Sequence, residues 1–187
     1  MRKNVVMAGL LGGLVAFVWI FISNAMVPIK SRMIHKTVPG QMEVHASLEE
    51  NITEPGTYSI PYLSNQEQQA YPEYRSMPVY SVTYSGYTHG YTGSIADIVV
   101  PIALIFAAAF FVSWMLSVTS PRVLSSYARR VAFVALVGVV IALSDDLSQM
   151  YLGPQPRDYL VFLAVNNVLT WFVTGLVIAW KIKPKKG

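Results

Sequence analysis

Along this chain, apolar positions gather into four long runs, and the segments between and beyond them carry nearly all the charge. The runs cover residues 5–27, 95–118, 131–152 and 159–180. Each is near the ~20 residues that a helix needs to cross ~30 Å of hydrocarbon. The pattern predicts an all-α membrane protein whose four transmembrane helices lie in 1–27, 95–118, 131–152 and 159–180. Between them it places a cap at 28–94, a loop at 119–130 and a short turn at 153–158, with a basic tail at 181–187.

Inside 28–94 the period changes. Residues 41–51 set Met42 and Leu48, with Ile52 beyond, against Glu49-Glu50, which predicts one or two helical turns. Glu54-Pro55-Gly56 is turn chemistry. Residues 57–62 alternate, with Tyr58, Ile60 and Tyr62 on one face, and 77–84 alternate again through Tyr80, Val82 and Tyr84. Two such runs with a polar loop between them predict an antiparallel pair with an aromatic face, hence a small α+β cap. A lone hairpin is marginal in water, so this one is expected to pack on the bundle or on a partner.

Glycine spacing adds a second expectation. Gly9-xxx-Gly13 allows two helix backbones to approach closely, within this bundle or toward another subunit. Of the eleven tyrosines, Tyr58, Tyr62, Tyr71, Tyr74, Tyr80, Tyr84, Tyr87 and Tyr91 fall in the cap segment. An apolar ring with a polar tip suits a membrane surface and a protein interface alike. Gly9, Gly13, Tyr58, Tyr80, Tyr84, Tyr87 and Tyr91 are therefore candidate partner-interface residues.

Composition agrees with burial in hydrocarbon, since charged residues are only 13% of the chain where a soluble domain carries about 25%. The net charge of +4 comes from helix ends, so it reports orientation and does not point to nucleic acid. With the N-terminus cytoplasmic, Arg2, Lys3, Arg122, Arg129, Arg130, Lys181, Lys183, Lys185 and Lys186 all lie inside. Every acidic residue then lies outside. The expected location is a bacterial inner membrane, crossed four times with both termini cytoplasmic. Anionic phospholipid is expected at the basic tail. Arg2-Lys3, an apolar run and Ser23-Asn24-Ala25 imitate a secretory signal, but the run exceeds the usual length of about 7–15 residues and reads as a retained helix.

Candidate chemistry is sparse. With no cysteine, disulfides, thiolate nucleophiles and Cys-ligated metals are excluded. His35, His45 and His89 lack the i, i+4 spacing of a helical metal pair, and there is no phosphate loop, GxSxG or HExxH. Asn51-Ile52-Thr53 fits the glycosylation pattern, which matters only in a eukaryotic secretory pathway. No cofactor is expected. The sharpest feature is Asp145-Asp146, near the end of the third run, facing Asn166-Asn167 at similar depth in the fourth. An Asn amide can donate to a carboxylate, and carboxylates inside a membrane mark proton or cation sites by default. Alternatively the third helix ends at Leu143 and leaves both acids at the interface, or the acids pair with a partner's basic group.

The elements Ala8-Gly9-Leu10-Leu11-Gly12-Gly13, Phe17-Val18-Trp19, Glu54-Pro55-Gly56-x-Tyr58-x-x-Pro61 and Thr174-Gly175-Leu176-Val177-Ile178-Ala179 resemble a family of small bacterial inner-membrane proteins with about four spans and no assigned function. That resemblance implies a bacterial origin and a similar architecture. The family is aromatic-rich where this chain has Asp145-Asp146, so the resemblance implies no acid-based activity. The expected function is a non-catalytic accessory subunit of a larger integral membrane complex. The competing expectation is a small oligomeric transporter or channel using Asp145 and Asp146. A membrane enzyme comes third, lacking a nucleophile–base pair.

Overall fold

A computed structural model describes residues 2–25, 37–88, 93–153 and 155–184. The chain is mostly helical, with one two-stranded sheet, and divides into two compact units. One is Met1–Lys36 with Gly93–Gly187, and the other is Thr37–Thr92.

The larger unit contains four helical stretches long and apolar enough to cross a membrane. The first is α1 (Arg2–Ala25). The smaller unit contributes α2 (Gln41–Asn51), and the chain returns to the larger unit with α3 (Ile95–Ser117). Ser94 caps α3 in a capping box: its hydroxyl accepts from the Asp97 backbone N–H, and its own N–H donates to Asp97 Oδ2 at 2.6 Å. Two of the orphan donors at a helix start are thereby satisfied. Pro101 lies within α3 beyond its first turn, where it withholds one backbone donor without ending the helix. A single turn, α4 (Pro121–Leu124), leads into α5 (Tyr127–Ile141).

The third stretch does not end at Leu143. It passes through a π-helical turn, Ala142–Asp146, closed by the Leu147 N–H donating to the Ala142 carbonyl at 2.8 Å, and ends in α6 (Gln149–Leu152). The last helix is α7 (Arg157–Lys181).

Small residues decide which helices touch. A Cβ on Gly9 would lie 2.8 Å from the Phe110 Cα, and one on Gly13 would lie 2.6 Å from the Phe106 ring, so this pair seats α1 against α3. The close approach predicted from the spacing is made within the chain. A second row on α1, Ala8, Gly12 and Ala16, is buried, and Gly12 abuts Ile178 and Thr174 of α7. Between α5 and α7 the relation is reciprocal. Gly138 meets the Asn167 carbonyl, and Gly175 meets Val134. The helices thus neighbour one another in the order α3, α1, α7, α5.

The apolar core collects Val5, Ala8, Val112, Leu116, Val134 and Ile178. It lies where the start of α1 and α5 meets the end of α3 and α7. Only 11% of the most apolar window of α3 is buried, against 33% for α1. Its buried residues, Ala109, Val112, Ser113 and Leu116, all lie in its second half.

In the smaller unit, β1 (Gly56–Ile60) pairs antiparallel with β2 (Tyr80–Tyr84), Tyr58 opposite Val82 and Ile60 opposite Tyr80. These are shorter strands than the alternation predicts. Tyr62 falls beyond β1 and is exposed. The segment between the strands is not wholly loop: Glu67–Gln69 and Pro72–Ser76 form short 3-10 turns.

Candidate functional site

The polar residues of the larger unit meet where the π-helical turn faces α7. A regular helix places successive side chains about 100° apart, and the extra residue of a π turn rotates the residues beyond it. Adjacent on one helical turn, Asp145 and Asp146 therefore point to different surroundings. Asp146 is 5% exposed and accepts from Asn167 Nδ2 on Oδ2 at 2.7 Å. Asp145 is exposed and accepts from Gln149 Nε2 at 3.1 Å. Ser144 and Ser148 donate to carbonyls of this same segment, Ser148 to both Ser144 and Asp145.

Neighbouring asparagines on α7 then reach two different elements. Asn167 holds Asp146, while Asn166 accepts from the Trp19 indole on α1 at 3.3 Å. The Thr170 hydroxyl donates to the Asn166 carbonyl. Gly138 explains how Asn167 gets close enough, since any side chain there would push the Asn167 backbone away. The cluster therefore ties three of the four long helical stretches together. Asp146 lies six residues before Leu152, about 9 Å by helical rise.

Chemically, this is a carboxyl group removed from water, with one oxygen held by an amide and no basic side chain paired with it among the described residues. Such a group can hold and release a proton, contribute one oxygen to a cation, or clamp two helices. Among the described residues no three His, Asp or Glu side chains come together as a metal site.

Arg130 is a buried residue that charge counting misplaces in a solvated loop. It is 6% exposed. Its Nε donates to the Ala179 carbonyl at 3.1 Å near the end of α7, and Nη1 donates to the Leu124 carbonyl. The Tyr127 ring lies 5.8 Å from the guanidinium, and the Tyr127 hydroxyl donates to the Leu176 carbonyl. A cation among the free carbonyls of a helix end is favourable there. Its place directly before Val131, at the start of the third apolar run, was the available hint.

The tyrosines do not form one cluster. Tyr80 and Tyr84 project from β2 on the face they share with Tyr58, and Tyr80 and Tyr87 are largely exposed. Tyr58 donates to the Glu54 carbonyl at 2.7 Å and so secures its own turn. Tyr91 lies outside the described residues, as do His35 and His89. Nearby, Glu67 accepts from the Ser64 hydroxyl at 2.7 Å and from the Ser64 N–H at 2.9 Å. These bonds hold the Glu67 carboxyl below its ordinary range.

No protein-family model, no curated protein and no solved structure matches this chain.

Proposed function

We propose that this chain is a four-span bacterial inner-membrane protein, with both termini cytoplasmic, that serves as a non-catalytic accessory subunit of a larger membrane complex. The observation that carries this reading is the incomplete burial of α3. Its first half buries no residue, and Ala96, Ala103 and Ala107 are exposed along it. Helices pack in a bilayer through small residues of this kind, so a partner helix fits the open half of α3. The exposed tyrosine-bearing hairpin supports the same reading, because aromatic residues are enriched where proteins meet.

The test is extraction of the tagged chain from its source membrane in mild detergent, with co-migrating proteins identified by mass spectrometry. A stoichiometric larger partner, lost on Ala103→Trp or on Tyr80→Ala with Tyr84→Ala while the isolated chain keeps its melting temperature, is the expected result. A lone monomer or homo-oligomer overturns it.

A second reading rests on the burial of Asp146 against Asn167. On that reading the chain is a small oligomeric proton- or cation-coupled transporter, and Asp146→Asn abolishes flux in proteoliposomes. Unchanged flux in that variant excludes this use of the carboxylate.

A further inference from the structure

Within the unit Thr37–Thr92, a cleft of about 790 Å³ lies between α2 and β2. One wall is a single face of α2, formed by His45, Leu48 and Glu49, continued by Ile52 just past its end. The other is formed by Val82, Thr83 and Tyr84 of β2 in succession, with Ser85, Tyr87 and Thr88 beyond the strand's end. Successive residues of a strand point to opposite faces of a sheet. A cleft that meets three strand residues in a row therefore runs along the edge of the strand, past its backbone.

That edge is open. The sheet has two strands, and alternate residues of each direct their N–H and C=O groups away from the ladder. No described residue pairs with the outer side of β2. A two-stranded ribbon is marginal in isolation, and a third strand adds the hydrogen bonds and side-chain pairs it lacks. Leu48, Ile52 and Val82 offer apolar contacts at the cleft, with Glu49 beside them.

Charge selects the occupant. Residues 37–88 hold six glutamates, Glu43, Glu49, Glu50, Glu54, Glu67 and Glu73, against the single cation Arg75. A second copy of this unit would set like charge against like. We propose that the cleft is a strand-addition site, in which an extended lysine- or arginine-bearing segment of a partner protein becomes the third strand on the free edge of β2. Main-chain hydrogen bonds to β2 supply the attachment, and alternate side chains of the segment enter the cleft. The proposal deepens the accessory-subunit reading and rests on it for the existence of a partner. The cleft itself belongs to the smaller unit and does not depend on how the helices cross a membrane.

The test uses the full chain in detergent micelles and a fluorescein-labelled peptide, Lys-Val-Lys-Val-Lys-Val-Lys, followed by fluorescence anisotropy and amide hydrogen exchange. The expected result is saturable binding with slowed exchange at residues 81–85. Methylating every backbone nitrogen of the peptide keeps its charge and removes its donors, and should weaken binding by about tenfold or more. A Glu-for-Lys peptide should weaken it similarly, as should Glu49→Lys in the protein at unchanged circular dichroism.

Failure of the Lys-Val peptide to bind, equal binding of its methylated form, or unchanged exchange at 81–85 overturns the proposal. Self-association that protects the same amides also overturns it, by assigning the edge to a second copy. In the native pull-down, retention of the partner by Glu49→Lys leaves the accessory reading standing and removes the cleft from it. Peptide binding without any co-purifying partner does the reverse.

Discussion

At Asp146 a carboxyl group has lost its water and gained a single amide. Removing only the amide is costly, because the carboxyl stays buried without a donor. Asn167→Leu should therefore destabilise the chain by about 1–3 kcal/mol. Asp146→Leu combined with Asn167→Leu should recover most of that loss, because both polar groups go together. Steric-trapping or detergent-unfolding measurements on the two variants decide the point, and equal losses would trace the effect to packing. Glu67 poses a simpler case in the smaller unit. Its folded pKa is depressed by Ser64, so its contribution is present above its unfolded pKa and is lost as pH falls through the lower folded value. Ser64→Ala should move the Glu67 carboxyl titration, followed by NMR, upward toward the ordinary value. An unmoved titration would mean that the Ser64 hydroxyl does not set it, leaving the Ser64 N–H as the donor that does.

Helices in this bundle are located by what they lack. Gly9 and Gly13 admit α3, Gly12 admits α7, and Gly138 with Gly175 joins α5 to α7. Overpacking such a contact typically costs about 1–3 kcal/mol. Gly138→Val should reach that range or exceed it, because its Cβ would lie 2.6 Å from a backbone carbonyl that cannot rotate away. It should also loosen Asn167 from Asp146, readable as faster amide exchange in the π-helical turn. Arg130 acts at the opposite end of α5 by satisfying carbonyls of α4 and α7 from one planar group. Arg130→Ala should lose about 2 kcal/mol or more. Arg130→Lys should recover little, because an ammonium does not reproduce the fork. Thermal unfolding of the two variants separates loss of charge from loss of geometry.

For the whole molecule, the proposed topology places Glu54 outside and Lys183 inside. Because the chain contains no cysteine, single cysteines report without background. Glu54→Cys should react with an impermeant maleimide on intact cells, and Lys183→Cys only after permeabilisation. The opposite pattern would invert the orientation. The two units differ in kind at this scale. One buries an apolar core among four long helical stretches, while the other, in its described residues, buries none of its side chains. A unit without a core of its own depends on what it pairs with, which is why the open edge of β2 matters.

The hydrophobic pattern alone determines that four stretches are long and apolar enough to span a membrane, that one or two helical turns fall within 41–51, where the structure has a helix of eleven residues, and that two alternating runs pair as a hairpin. Each of these is a local property, because solvent exposure repeats with the period of the backbone and can be counted along the chain. The Gly9–Gly13 contact was legible for the same reason, and the row Ala8, Gly12 and Ala16 has the same spacing. Tertiary structure decided the rest. Which of the adjacent acids Asp145 and Asp146 faces α7 depends on the rotation of the helix through its π turn, and no propensity marks where that turn falls. The backbone approach at Gly138 brings Asn167 to its acid, and the packing of α5 on α7 draws Arg130 out of the loop that its charge implied. Such outcomes depend on rotations and approaches between elements distant in sequence, where one ångström separates a hydrogen bond from a clash.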